Sequence, residues 1–104
     1  MIIINGEGWR VRLVPPSHPL LLTPRNSLAL GCCDNLTKTI CVSNALSLEM
    51  IKKVLCHEIV HAAMYSYDVD LSYREEELVA DLISVYGDEI IALTHLTYDN
   101  FKFM

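Results

Sequence analysis

The chain has 104 residues, of which 52% are hydrophobic and 20% charged, and its formal net charge is -5. That balance fits one folded domain, 1–104, with a modest core, and excludes a disordered tail. No apolar run reaches the ~20 residues of a membrane span, and the Lys and Arg residues form no cluster, so neither a membrane nor a nucleic acid is an expected partner.

Met1–Gly6 lacks the basic and long apolar parts of a signal peptide and is read as a strand over Ile2–Ile4. Asn5-Gly6-Glu7-Gly8 is a turn into a second strand, Trp9–Val14. There Trp9, Val11 and Leu13 alternate with Arg10 and Arg12, so one face is buried and one solvated. Pro15-Pro16 ends that strand, and the segment to Asn26, with Pro19 and Pro24, is a loop. His18 lies in it and is read as polar surface. Ser27–Cys33 and Thr39–Val42 are read as an antiparallel hairpin turning at Asp34–Lys38, with Leu28 and Leu30 sharing a face. Its free edge offers a place for an extended peptide to add as a strand.

Ser47 is the predicted N-cap of a helix from about Leu48 to Tyr65. Tyr67–Leu71 is a connection. Ser72-Tyr73-Arg74-Glu75 fits a capping box and opens a second helix, with Leu78, Val79, Leu82, Ile83 and Tyr86 as its apolar stripe. Gly87 either ends this helix or lies within it. The four cysteines, Cys32, Cys33, Cys41 and Cys56, include no C-x-x-C pair, so a thiolate zinc site is not expected and all four are read as reduced.

The first helix carries His57-Glu58-Ile59-Val60-His61. Residues four apart share a helix face, so His57 and His61 can turn two imidazoles toward one metal ion. Glu58, about 100° round the helix from His57, falls beside an open coordination position rather than on the metal. Two nitrogen ligands, a base and an open position are what a zinc hydrolase requires. The third ligand must come from elsewhere. Glu77 is favoured because Asp81 follows one turn later on the same face. Leu78 and Leu82 are read as facing the core, with Glu77 and Asp81 flanking them together on one side. Glu77 then completes a His2Glu zinc site and Asp81 holds a ligand histidine by its other ring nitrogen. Glu75 and Glu76 are read as solvated acids, so Glu76→Ala is expected to change little. Tyr65, Tyr67, Tyr73 and His95 are the candidate oxyanion-stabilising donors.

His57-Glu58-Ile59-Val60-His61 followed by Glu77-Leu78-Val79-Ala80-Asp81 resembles the gluzincin metallopeptidases. The run from Thr39 through Asp81 is most similar to the minimal ImmA/IrrE-type proteins of phages, integrative elements and bacteria. The third-ligand segment departs from their usual E-A-N-x-F-A. The resemblance implies an α+β fold, a small antiparallel sheet packed on the active-site helix and a second Glu-bearing helix. It also implies zinc as cofactor, endopeptidase activity on a peptide or protein substrate, and a bacterial or phage-infected cytoplasm. The competing expectation is a zinc-binding structural or interaction module of a mobile element, without catalysis. A structural zinc site with four protein ligands leaves Glu58 without a task, which favours the enzyme.

Overall fold

The computed structural model describes residues 1–103. In chain order they form strands β1 (Ile2–Ile4) and β2 (Glu7–Val14), a 3-10 turn (Pro19–Leu21), and strands β3 (Gly31–Asp34) and β4 (Thr39–Ser43). Two helices follow, α1 (Leu48–Ser66) and α2 (Tyr73–Phe101). The fold is α+β. None of the helices is long and apolar enough to cross a membrane.

The sheet has the order β1-β2-β4-β3. β1 and β2 are antiparallel, joined by Asn5 and Gly6, both at positive φ (48° and 79°). Left-handed backbone at both turn positions matches the strand twist, and Asn-Gly tolerates it. β3 and β4 form the expected antiparallel hairpin, with Cys32 opposite Cys41. Asp34 shapes its turn by accepting hydrogen bonds from the Leu36 N–H (3.2 Å) and the Thr37 hydroxyl (2.6 Å). Against expectation, β2 and β4 pair parallel, Arg10 with Thr39 through Val14 with Ser43, so the sheet is mixed. The Pro-rich loop and β3 intervene between these strands, and β4 therefore returns in the direction of β2.

β4 is buried along its whole length, as a central strand covered on both faces must be. On one face Trp9, Ile40 and Val42 pack against Ala62 of α1, joined by Val54, Leu55 and Ile59. On the other, Val14, Cys41 and Leu21 from the 3-10 turn form a smaller cluster. The alternation in β2 therefore holds at Trp9 and Val11 but ends early, for Leu13 is 60% exposed while Val14 is buried under Leu21. Leu28 and Leu30 are also exposed and precede β3, which is shorter than the predicted Ser27–Cys33. His18 caps the 3-10 turn, its Nδ1 accepting from the Leu20 N–H at 3.2 Å.

Trp9 is fully buried and donates its indole N–H to Ser66 Oγ at 2.8 Å. Asn5 donates to the Ser66 carbonyl at 2.9 Å, and Tyr65 stacks on the indole. The last turn of α1 is thus pinned to the first hairpin, which fixes how the helix lies across the sheet.

Ser47 caps α1 through the Met50 N–H, and both bonds of the Ser72–Glu75 capping box are present at the start of α2. The helices pack antiparallel: Lys52 meets Asp88, His57 meets Asp81, and His61 meets Glu76. The buried stripe of α2 is not the predicted one. Leu78 and Leu82 are 70% and 50% exposed, whereas Ala80 is fully buried, with Ser84 and Gly87 following on its side. Gly87 lies within α2 at a propensity cost of about 1 kcal/mol relative to Ala.

Candidate metal centre

The close approach of α2 to α1 at Ala80 carries three acidic side chains onto the histidines of α1. Glu77 reaches both rings, Oε1 to His61 Nε2 at 2.7 Å and Oε2 to His57 Nε2 at 3.3 Å. The two Nε2 atoms stand 3.2 Å apart. Each ring has a further carboxylate on its far nitrogen: Asp81 lies 3.2 Å from His57 Nδ1, and Glu76 lies 2.6 Å from His61 Nδ1.

With the proton of each ring on the Nδ1 that faces Asp81 or Glu76, each Nε2 would present a lone pair. Two such lone pairs and the Glu77 carboxylate would then meet at one point as three acceptors. A cation at that point turns their mutual repulsion into coordination. The spacing fits: ligands at the 2.0–2.1 Å typical of zinc stand about 3.3 Å apart on a tetrahedron. The His–His distance and one His–Glu distance are close to that value, at 3.2 and 3.3 Å. His57, His61 and Glu77 are the one His/Cys/Asp/Glu group among the described residues whose ligand atoms cluster tightly enough to hold a metal ion.

Glu58 lies next to this group and not within it. It is buried, and burial pushes its carboxyl up from the usual range. His61 and His57 oppose that shift, while Glu77 adds to it. Gly31, at the start of β3, leaves the room it needs: a Cβ there would stand 2.6 Å from Val54 Cγ1 and 3.1 Å from Glu58 Cγ.

A cleft of ≈ 640 Å³ opens over the site, walled by Gly31, Cys32 and Cys33 of β3 on one side and by Tyr65, Tyr73, Glu76 and Glu77 on the other. β3 is an outer strand of the sheet, and its residues Gly31, Cys32 and Cys33 line this cleft. A second hollow of ≈ 290 Å³ adjoins His57 and Glu58, lined by Leu30, Met50 and Val54 with Lys53 and Asp81. Of the four candidate oxyanion donors, Tyr65 and Tyr73 line the cleft. Tyr67 caps the end of α1, and His95 lies in a groove beside Cys56 and Ile91, away from the histidines. The four cysteines are free thiols; Cys33 faces the cleft, and burial pushes its pKa up to about 12, as an unreactive thiol.

One participant escaped the sequence. Glu76 is not a solvated acid: its side chain is only 17% exposed, against 68% for Asp81, and its contact with the ring is the shorter. The error followed from setting Leu78 and Leu82 in the core. With Ala80 there instead, Glu76 sits one turn before the buried residue, and that i, i+4 relation was the available signal. The expected outcome is correspondingly revised. Glu76→Ala and Asp81→Ala should each weaken zinc binding by roughly 10–100-fold, with Glu76→Ala the larger loss. Competition titration with a chromogenic chelator measures both, and an unchanged affinity in Glu76→Ala would separate that residue from the site.

The chain matches no family model, and searches of curated proteins and of solved structures gave no significant match.

Proposed function

We propose that this chain is a zinc-dependent endopeptidase of minimal gluzincin type, similar to the ImmA/IrrE-type proteins and acting in a bacterial or phage-infected cytoplasm. The observation that carries the reading is the position of Glu58: buried, raised in pKa, and adjacent to a His2Glu donor set of which it is not a member. Zinc held by His57, His61 and Glu77 supplies a Lewis acid that polarises a carbonyl and acidifies water. Glu58 takes a proton from the attacking water as its oxygen bonds to the scissile carbonyl carbon, and returns that proton to the nitrogen of the leaving amine as the C–N bond breaks. Asp81 and Glu76 hold the two imidazoles in the tautomer that presents Nε2 inward.

The walls of the cleft suit an extended peptide. The free edge of β3 offers backbone groups for strand addition, which aligns a substrate across Glu58 without regard to most of its side chains. The hollow lined by Leu30, Met50 and Val54 receives one apolar side chain beside the scissile bond. Tyr65 and Tyr73, which line the cleft, are the hydroxyl candidates for stabilising a developing oxyanion.

A fluorogenic peptide library, incubated with protein as purified, with chelator, and with zinc restored, tests the proposal. Cleavage that stops with chelator and returns with zinc is the expected result. Zinc-loaded protein that cleaves nothing would instead favour the non-catalytic zinc module.

A further inference from the structure

α2 is longer than anything it packs against. Its 29 residues span about 44 Å, against about 29 Å for the 19 residues of α1. Lys52, in the second turn of α1, already meets Asp88. α1 ends one turn beyond Lys52, at Leu48, so about the last ten residues of α2 run on to Phe101 without α1 beside them, and every residue from Asp88 to Phe101 is exposed. The projection is not polar. Ile90, Leu93, Tyr98 and Phe101, with Thr94 and Thr97 between them, line one shallow apolar groove. Isolated helices of this length are marginal in water and take their stability from a covered apolar face.

The surface total shows the same imbalance. A compact chain of 11.8 kDa exposes about 5,900 Å². This one exposes 7621 Å², an excess of about 1,700 Å². A standard-size interface removes about 800 Å² from each partner, well within that excess. The radius of gyration, 15.8 Å, likewise exceeds the about 13 Å of a compact domain of this length.

We infer that the projecting part of α2 is a homodimerisation element, pairing antiparallel with the same segment of a second copy about a two-fold axis between His95 and Leu96. The segment is complementary to itself in this arrangement. Ile90 lies over the partner's Phe101, Leu93 over the partner's Tyr98, and Thr94 beside the partner's Thr97, so the small residues sit at the axis where the backbones come closest. The spacing of Ile90, Thr94, Thr97 and Phe101, alternating four and three, is that of a helix–helix seam. The charges match as well. Glu89, without an ion-pair partner among the described residues, faces the partner's Lys102, the one basic residue in this part of the chain. Among the described residues, the Lys102 ammonium pairs with the exposed Asp99 (3.2 Å) and lies over the Tyr98 ring. A parallel pair would set Glu89 against Glu89 and Asp99 against Asp99. The antiparallel pair also places the two globular bodies at opposite ends, each cleft open.

Sedimentation equilibrium of the full chain from about 1 to about 100 μM tests this. A mass of twice 11.8 kDa is expected at the upper concentrations. Ile90→Glu/Phe101→Glu should raise the dimer dissociation constant at least about 30-fold. Both residues are solvent-exposed in the single chain, so helix content by circular dichroism should stay near that of wild type. Glu89→Lys and Lys102→Glu should each weaken the dimer, and the two together should restore it. Wild-type protein that stays monomeric throughout overturns the inference, whether or not the face then takes up lipid vesicles or an unrelated helix. A dimer indifferent to Ile90→Glu/Phe101→Glu overturns it as well, and a double charge swap that fails to restore association excludes the antiparallel register.

Discussion

Glu58→Gln is expected to leave zinc binding intact and, under the proposed peptidase mechanism, to lower peptide hydrolysis by about 10²–10⁴-fold, the usual contribution of a general base. The amide has the carboxylate's shape and fills the same space beside Gly31. What it lacks is a basic oxygen. Since Glu58 lies outside the His57, His61 and Glu77 group, its replacement removes no donor from the metal. The buried position adds a control. A carboxylate raised in pKa by burial is not held there by a strong ion pair, so neutralising it should leave thermal stability near wild type or slightly above. Zinc content, melting temperature and cleavage rate measured on one preparation separate the possibilities. Full activity in the variant would remove Glu58 from the reaction, and loss of zinc would place it in the coordination shell.

The second large effect is expected at Glu77. Glu77→Ala should lose zinc affinity by more than the roughly 10–100-fold that an outer carboxylate costs. Glu77 is the one residue whose two oxygens each approach a different histidine Nε2. Without it, two imidazole nitrogens remain 3.2 Å apart, a donor pair rather than a trio. The variant should also lose activity in proportion to its zinc occupancy, so that excess zinc restores part of the rate. Glu58→Gln should show no such rescue. Titration against a chelator of known affinity gives the ranking, with Glu77→Ala weakest, then Glu76→Ala, then Asp81→Ala. A variant that binds zinc as tightly as wild type would move the third ligand elsewhere on α2.

The i, i+4 histidines, the capping box at Ser72 and the acid pair Glu77/Asp81 were legible in the sequence because each is a local pattern. The helix carries its own geometry from one residue to the next, so spacing is enough. Glu76 was not legible, because its role depends on which face of α2 turns inward. Hydrophobicity argued for Leu78 and Leu82. The residue of α2 that is fully buried is instead the small Ala80, with Ser84 and Gly87 half-buried on its side. Much of the apolar surface of α2 points away from its own chain, which is why hydrophobic patterning gave the wrong register there. The parallel pairing of β2 with β4 was hidden for a related reason: it joins segments separated by a loop and another strand, and no local signal records it. The α+β class survived these errors because it rests on the number and kind of elements rather than on their pairing.

The central claim is that the convergence of His57, His61 and Glu77 holds zinc. The most direct test is the metal content of protein purified without added metal, read by inductively coupled plasma mass spectrometry alongside melting with and without chelator. One zinc per chain is predicted. At free zinc about 100-fold above its dissociation constant, binding contributes about 2.7 kcal/mol, so chelation should lower the melting temperature by about 10–20 °C. Protein that carries no zinc, and whose melting neither chelator nor added zinc displaces, would contradict the account.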